Sequence, residues 1–148
     1  MEKTNNRFHF DLPEGWNDQT VYFFKGPDEG NFDHMMMLAI DRQLQHDDIE
    51  DMALEKTTPI KANLQGMEVL KDEAITLENG NPAWEFVYRW IPAEDQKSFH
   101  KYVFVIKHGM GFSFSCKFSK KTLKTLGLQM KEIIDGLLPG TYFPIQYE

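Results

Sequence analysis

Hydrophobic and polar residues alternate, or apolar residues run together, in seven short segments of the chain. Successive side chains of a β-strand point to opposite faces, so these segments predict seven strands. They cover residues 8–12, 20–25, 34–42, 67–77, 84–91, 99–107 and 112–118. Turn-forming residues separate neighbouring segments. Among them, the Asn79-Gly80 pair predicts a tight hairpin that leads into the segment 84–91.

The segment 84–91 has the most pronounced pattern, because one of its two faces is entirely aromatic. That face carries Trp84, Phe86, Tyr88 and Trp90. The opposite face is mixed and carries Ala83, Glu85, Val87, Arg89 and Ile91. This pattern predicts a central strand of an antiparallel sheet, with one heavily apolar face and one partly polar face.

Two segments follow the helical period. The first begins after Asp47 or Asp48, Pro59 predicts a kink or break near residues 57–58, and Gly66 ends the element. Its periodic apolar residues are Ile49, Met52, Ala53, Ile60 and Leu64. The second helix is predicted to begin at Ser119 or Thr122. Its apolar stripe consists of Leu123, Leu126, Met130, Ile133, Ile134 and Leu137.

The order of these elements is three strands, a helix, four strands and a second helix. Strands joined by short turns predict an α+β fold, with an antiparallel sheet of about six to seven strands and two main helices. With no linker, repeat or low-complexity segment, residues 1–148 are expected to form a single domain. Trp16 is expected to close one end of the core, and the apolar tail at 141–148 to pack on the body or on a second subunit.

The net charge and the composition of the N-terminus argue against several classes of binding partner. The net charge of −7 argues against nucleic acid, whose phosphates attract clustered Lys and Arg, and against adsorption to anionic lipid. The N-terminus lacks the apolar core of a signal peptide, and no run approaches the roughly 18 apolar residues of a membrane span. These features predict a cytoplasmic protein that does not itself insert into a membrane.

No catalytic or metal-binding signature is present. The single cysteine, Cys116, lies in register with Phe112 and Phe114, which predicts a buried and inert thiol. The five histidines lack metal-ligand spacing, and the acidic run at 47–51 lacks the alternate oxygens and central glycine of a calcium loop. We therefore expect a non-enzymatic protein with no cofactor and no metal.

Several strands are apolar on both faces, which is more apolar surface than two helices can hide. If both helices cover one face, the other needs a cover, because monomers rarely expose large apolar patches unless they bind something. The cover could be a second subunit, a ligand, a partner's hydrophobic segment, or the chain's own loops and tail. The candidate binding residues are Val21, Phe23, Met35, Met37, Ala39, Trp84, Phe86, Tyr88 and Trp90. Which face binds is left open.

Five short motifs resemble the DcrB-like family, whose members have the Mog/PsbP-like fold with its strongly curved sheet. They are FDLPEGWND at residues 10–18, VYFF at 21–24 followed by Gly26-Pro27, LAIDR at 38–42, GNPA at 80–83 and YRW at 88–90. The resemblance spans nearly the whole chain. These residues mark the fold and are not a catalytic signature.

Within that family, the chain resembles the Eag chaperones of bacterial type VI secretion. The resemblance implies a cytoplasmic homodimer that shields the hydrophobic N-terminal transmembrane segments of PAAR-containing effectors in a concave, apolar groove of its sheet. Two other functions stay open. One is a domain that binds a small apolar ligand or lipid in a closed pocket. The other is a regulatory domain of the Mog/PsbP type, which binds a folded partner.

Overall fold

Six strands and two helices make up the part of the chain that the structure describes. The computed structural model describes residues 13–16, 19–26, 34–42, 44, 46–63, 65–91 and 97–136. The elements, in chain order, are β1 (Gln19–Lys25), β2 (Met35–Asp41), α1 (Ile49–Asn63), β3 (Met67–Thr76), β4 (Pro82–Trp90), β5 (Ser98–Lys107), β6 (Met110–Phe118) and α2 (Leu126–Asp135). The strand predicted at residues 8–12 and the tail at 141–148 lie outside the described residues.

The six strands form one antiparallel sheet in the order β1-β2-β6-β5-β4-β3. Neighbours in the sheet are mostly neighbours in sequence, and the pairing of β2 with β6 joins the N-terminal hairpin to the four-stranded meander. The predicted hairpin at Asn79-Gly80 is confirmed, since Gly80 N donates to Leu77 O at 2.8 Å and Gly80 has a φ of +89°. The predicted α+β fold with an antiparallel sheet is confirmed.

The two helices lie on opposite faces of the sheet. Met52 and Ala53 of α1 pack with Phe86 and Phe104, whereas Ile134 of α2 packs against the opposite parity of β5 and β6. We call these the α1 face and the α2 face. The helices therefore do not share one face. Because both parities of β1, β2 and β5 are apolar, both faces of the sheet need a cover, and each helix covers only part of its face.

The helix α1 continues through Pro59, so the break predicted near residues 57–58 is wrong. Three side chains on one side of the helix, those of Met52, Ala53 and Thr57, are buried against the sheet. Pro59 is exposed, so water can hydrogen-bond to the carbonyl whose helical partner the proline removes. Tertiary packing on both sides of the proline outweighs its local preference.

The helix α2 begins at Leu126, later than either predicted start. The Ser119 and Thr122 hydroxyls are 2.9 Å apart, Thr122 N donates to Ser119 Oγ at 3.2 Å, and Leu123 N donates to Ser119 O at 3.1 Å. The Thr122 hydroxyl also lies 2.7 Å from Nε2 of buried His34. The predicted capping residues therefore build a separate turn that is fixed to the start of β2.

Two further expectations about packing are wrong. Leu126 and Ile134 are buried as predicted, but Leu123, which lies in the turn before the helix, is 39% exposed and Ile133 is 49% exposed, so fewer residues of α2 are buried than the predicted stripe requires. Trp16 is 69% exposed. It ends a turn in which its backbone N donates to Pro13 O at 3.2 Å, and this turn leaves the indole at the surface.

The turn before α2 yields a stability prediction. Replacing Thr122 with Val keeps the shape of the side chain but removes a buried hydroxyl that bonds to His34 and Ser119, so the free energy of unfolding should fall by about 1–3 kcal/mol. Urea denaturation measures this change. The exposed Thr125→Val is the matched control and should change stability by less than about 0.5 kcal/mol. Equal effects of the two substitutions would contradict this role of Thr122.

Candidate apolar binding surface

All nine predicted binding residues lie on the α1 face. Residues paired across an antiparallel ladder point to the same side of the sheet, so the strand register gives continuous cross-strand rows. The first row consists of Phe23, Met37, Ser115, Tyr102 and Phe86. The second consists of Val21, Ala39, Ser113, Phe104 and Trp84. The residues that the sequence grouped by parity on separate strands therefore share one surface.

The helix α1 covers the part of this surface formed by β4 and β5. Phe86 and Tyr88 are fully buried beneath it, so with α1 in place they are core residues and cannot contact a partner. Trp84 and Trp90 are half-buried, and their indole N–H groups donate to Asp72 Oδ1 at 2.7 Å and to Gln65 O at 3.0 Å. These four aromatic side chains belong to one hydrophobic cluster, which also contains Met52 and Ala53 of α1.

The part of the α1 face formed by β1 and β2 is open. Val21 is 52% exposed, Phe23 57% and Met37 37%, while Met35 and Ala39 are half-buried. We call these five residues the open patch. Ser113 and Ser115 of β6 separate the patch from the aromatic residues beneath α1. A contiguous apolar surface of this kind is typical of a binding site.

The strand β1 is also exposed on the α2 face. Tyr22 is 38% and Phe24 is 47% exposed, and their rings stack 6.4 Å apart. Phe24 borders a groove of about 260 Å³ between the β1–β2 hairpin and α2. The walls of the groove include Met36, Phe118, Leu126, Met130 and Ile133. The sequence pattern alone does not predict this groove, although the run of apolar residues at 21–24 indicates that both faces of β1 are apolar.

A histidine lies within the aromatic cluster of β4 and β5. The imidazole of His100 stacks on Tyr88 with ring centroids 4.6 Å apart, and its Nε2 lies 2.9 Å from the Ser98 hydroxyl. Burial, helped by the nearby charge of Lys117, lowers the pKa of His100 to about 4. Burial likewise raises the pKa of Tyr88 above its usual range. Both rings are therefore neutral at neutral pH and act as packing groups.

The α2 face holds a buried carboxylate. Glu85 lies 3.0 Å from Lys101 Nζ and 3.3 Å from Lys71 Nζ. Burial alone would raise the pKa of Glu85, but the two lysines hold it below its usual value. A cavity of about 250 Å³ adjoins this network, and Lys131 and Asp135 of α2 line it as well. The charges are paired with one another, which is the arrangement of a structural ion-pair network.

Three further features bear on function: the cysteine, the side chains that could bind a metal ion, and the length of the helices. Cys116 is buried, as predicted, and burial raises the pKa of its thiol to about 12, so the reactive thiolate is scarce at neutral pH. Within the described ranges, no group of three His, Cys, Asp or Glu side chains is placed to hold a metal ion. None of the helices in those ranges combines the length and hydrophobicity that a membrane crossing requires.

Comparison with known protein families agrees with this architecture. Residues 8–115, well over half of the chain, match the family model DcrB. The chain belongs to the DcrB family. The match includes the whole open patch and the aromatic strand β4, and it ends within β6, before α2. No curated protein sequence matches this DcrB family member.

Two solved structures are similar to this DcrB family member. One is PA94 of Pseudomonas aeruginosa, described as a protein of unknown function and a candidate regulator, with a TM-score of 0.71 and 19% sequence identity over 90% of this chain and 92% of PA94. The other is LpqN of Mycobacterium tuberculosis, involved in cell envelope biogenesis, with a TM-score of 0.48 and 16% identity over 84% of this chain and 85% of LpqN. The first likeness shows a shared fold, and the second is too low to carry an argument.

Two phenylalanines in one cross-strand row give a matched test of the covered and open parts of the surface. Phe86→Ala removes a fully buried ring and should lower the free energy of unfolding by about 3–5 kcal/mol. Phe23→Ala removes a ring that is 57% exposed and should cost no more than about 1 kcal/mol. Urea denaturation measures both values. Similar losses would show that Phe23 belongs to the core.

The low pKa of His100 predicts a specific dependence of stability on pH. Because its folded pKa of about 4 is below the usual 6.5, the unfolded chain binds more protons between these values, and stability falls as the pH drops from about 6.5 towards 4. His100→Gln should flatten the stability profile between pH 6.5 and 4.5, measured by urea denaturation. An unchanged profile would contradict this account of His100.

Proposed function

We propose that this DcrB family member is a non-enzymatic chaperone or adaptor, which binds a hydrophobic segment of a partner protein on the α1 face. The observation that carries the proposal is the open patch, where Val21, Phe23 and Met37 are all more than one-third exposed on one side of the sheet. Fully burying one such side chain is worth roughly 1.5–3 kcal/mol. A partner that covers the patch would gain a substantial part of that free energy at each position.

The partner we propose is the N-terminal transmembrane segment of a PAAR-containing type VI secretion effector, held in the cytoplasm before export. Membership in the DcrB family and the resemblance to Eag chaperones support this choice. A membrane segment in water exposes many apolar side chains at once, so it needs a broad apolar surface more than a deep pocket. The open patch and its continuation towards α1 have this character.

The composition of the surface suits a helical segment. Met35 and Met37 are flexible and can adapt to different side chains, which allows one surface to accept several sequences. Ala39, Ser113 and Ser115 are small and leave space for a helix to approach the sheet. The two serine hydroxyls can pair with Ser or Thr side chains of the segment, as polar groups do between helices in a bilayer.

A homodimer is part of the proposal. The strand β1 exposes Val21 and Phe23 on one face and Tyr22 and Phe24 on the other, so this side of the protein has apolar surface beyond the open patch. A second subunit placed here would shield part of that surface and bring two open patches closer together. The apolar area available to one cargo segment would then increase.

A second candidate function is the binding of a small apolar molecule. The observation that favours it is the groove of about 260 Å³ on the α2 face, whose walls include Met36, Phe118 and Met130. Native mass spectrometry of the purified protein distinguishes the two functions. A bound small molecule that is lost in a Met130→Lys variant would favour this alternative.

Aspartate substitutions in the open patch test the proposed chaperone function. Phe23→Asp and Met37→Asp place a charge on the binding surface but outside the core, so the variants should fold and should recover at least tenfold less effector segment in co-purification. The bait is this protein, co-expressed with the N-terminal segment of a PAAR effector from the same organism. Leu128→Asp is the control, because Leu128 is 60% exposed on α2, on the opposite face.

The control should retain full recovery of the effector segment. Folded Phe23→Asp and Met37→Asp variants that also retain full recovery would exclude the open patch as the binding site. If the wild-type protein recovers no effector segment, the proposed partner is wrong.

A further inference from the structure

We propose that α1 occupies part of the cargo-binding surface and that a bound cargo helix displaces it. This inference rests on the proposed function and describes how its site is regulated. In the free protein α1 shields the aromatic half of the α1 face, and in the complex the cargo helix takes over that contact. On the α1 face, the free protein then exposes the open patch, and the complex uses the whole face.

The first support is the continuity of the surface. The cross-strand row that starts at exposed Phe23 and Met37 continues through Tyr102 to buried Phe86 without a change of face. The neighbouring row runs from Val21 to Phe104 in the same way. The open and covered parts therefore lie on one face of the sheet, where the small side chains of Ser113 and Ser115 join them, and α1 covers only the second part.

The second support is the chemistry of the contact that α1 makes. Ala53 and Thr57 are each 1% exposed, are small, and lie four residues apart on the side of the helix that faces the sheet. Small residues at this spacing allow close approach in the packing of membrane helices. Met52 fills the remaining space and is fully buried. A cargo helix with small residues four apart can make the same contact, so α1 already demonstrates that this face accepts such a helix.

The third support is the weak hold of α1 on the sheet. Only Met52, Ala53 and Thr57 of its 15 residues are buried, and Ile49 and Ile60 pack against the same cluster while partly exposed. Pro59 in its interior removes a backbone hydrogen bond and, with two adjacent threonines, lowers the intrinsic stability of the helix. The ion pairs of α1 join Lys56 to Asp41 at 3.8 Å, Lys61 to Asp72 at 2.7 Å and Glu55 to His46 at 2.8 Å, and partly exposed pairs of this kind contribute little. Lys61 Nζ also lies 5.4 Å from the centre of the Phe86 ring.

Exchange of one helix for another costs less than opening alone. Displacing α1 would expose Phe86, Tyr88 and Phe104 to water, and this penalty keeps the surface closed when no cargo is present. A cargo helix covers the same rings, so the penalty does not apply to the complex. The affinity for cargo should therefore depend on how firmly α1 is held, although most of α1 would not touch the cargo.

The test uses substitutions that change the stability of α1 without changing the sheet surface. Pro59→Ala strengthens α1 at an exposed position and should weaken binding at least tenfold, since alanine restores the hydrogen bond and removes the clash of the proline ring. The probe is a synthetic helix of about 20 Leu and Ala residues with Ser at every fourth position and Lys at both ends. Fluorescence anisotropy gives its affinity, and hydrogen exchange reports on residues 49–63.

The matched control is Gly127→Ala in α2. An added Cβ there meets only Leu123 Cδ1, at 3.7 Å, so alanine strengthens a helix on the opposite face and should leave the affinity for the probe unchanged. Met52→Ala should change the affinity for the probe in the direction opposite to Pro59→Ala. It loosens α1 and should tighten probe binding severalfold, whereas a purely structural role of Met52 would predict weaker binding.

The outcomes separate this inference from the proposed function. Tighter binding by Met52→Ala, together with weaker binding by Pro59→Ala and faster exchange of residues 49–63 when the probe is added, supports displacement. Wild-type binding of the probe combined with unchanged affinity in a Pro59→Ala variant whose α1 exchanges more slowly overturns displacement and leaves the proposed function standing. Failure of the wild-type protein to bind the probe overturns both.

Discussion

The structure depends on one constraint, which is that both parities of β1, β2 and β5 are apolar while the described part of the chain provides only two helices. A sheet with two apolar faces must be covered on both sides. The protein meets this constraint by placing α1 on one face and α2 on the other. The helix α1 packs on β4 and β5, α2 packs mainly on β6, and most residues of β1 stay exposed. The open patch is the consequence.

The position of α1 also determines which apolar side chains of the α1 face are buried and which are exposed. Phe86 and Phe104 are almost completely buried because they lie beneath α1. Val21 and Phe23 lie in the same cross-strand rows and are equally apolar, yet more than half of each side chain meets water. The two groups differ in their position relative to α1 and not in chemical type. The core beneath α1 and the open patch therefore lie on one face of the sheet, and α1 covers only the first of them.

Much of the fold could be predicted from periodicity. The strand segments, the Asn79-Gly80 hairpin and the burial of Cys116 follow from alternation and turn chemistry, which act over a few residues. The grouping of the nine candidate residues on one face also follows in part, because parity fixes the face within each strand. Parity does not show which residues of two strands lie side by side. The pairing of β2 with β6, two strands far apart in sequence, joins the rows across the sheet.

The errors also have physical causes. Pro59 predicted a kink or a break, but the helix continues through it, with Met52, Ala53 and Thr57 packed on the sheet before the proline and Ile60 packed after it. Ser119 and Thr122 predicted a helix start, but their hydroxyls bond to each other and to His34, a residue 88 positions from Thr122. The placement of the helices on opposite faces could not be deduced, since periodicity identifies the apolar side of a helix but not the surface that it meets.

Site-specific photocrosslinking tests the central claim most directly. A photoreactive phenylalanine analogue replaces Phe23 in one variant and Leu128 in another, and each variant is co-expressed with the N-terminal segment of a PAAR effector. The account predicts a crosslink to the effector segment from position 23 and none from position 128. A crosslink from position 128 alone, or equal crosslinking from both positions, would contradict binding at the open patch.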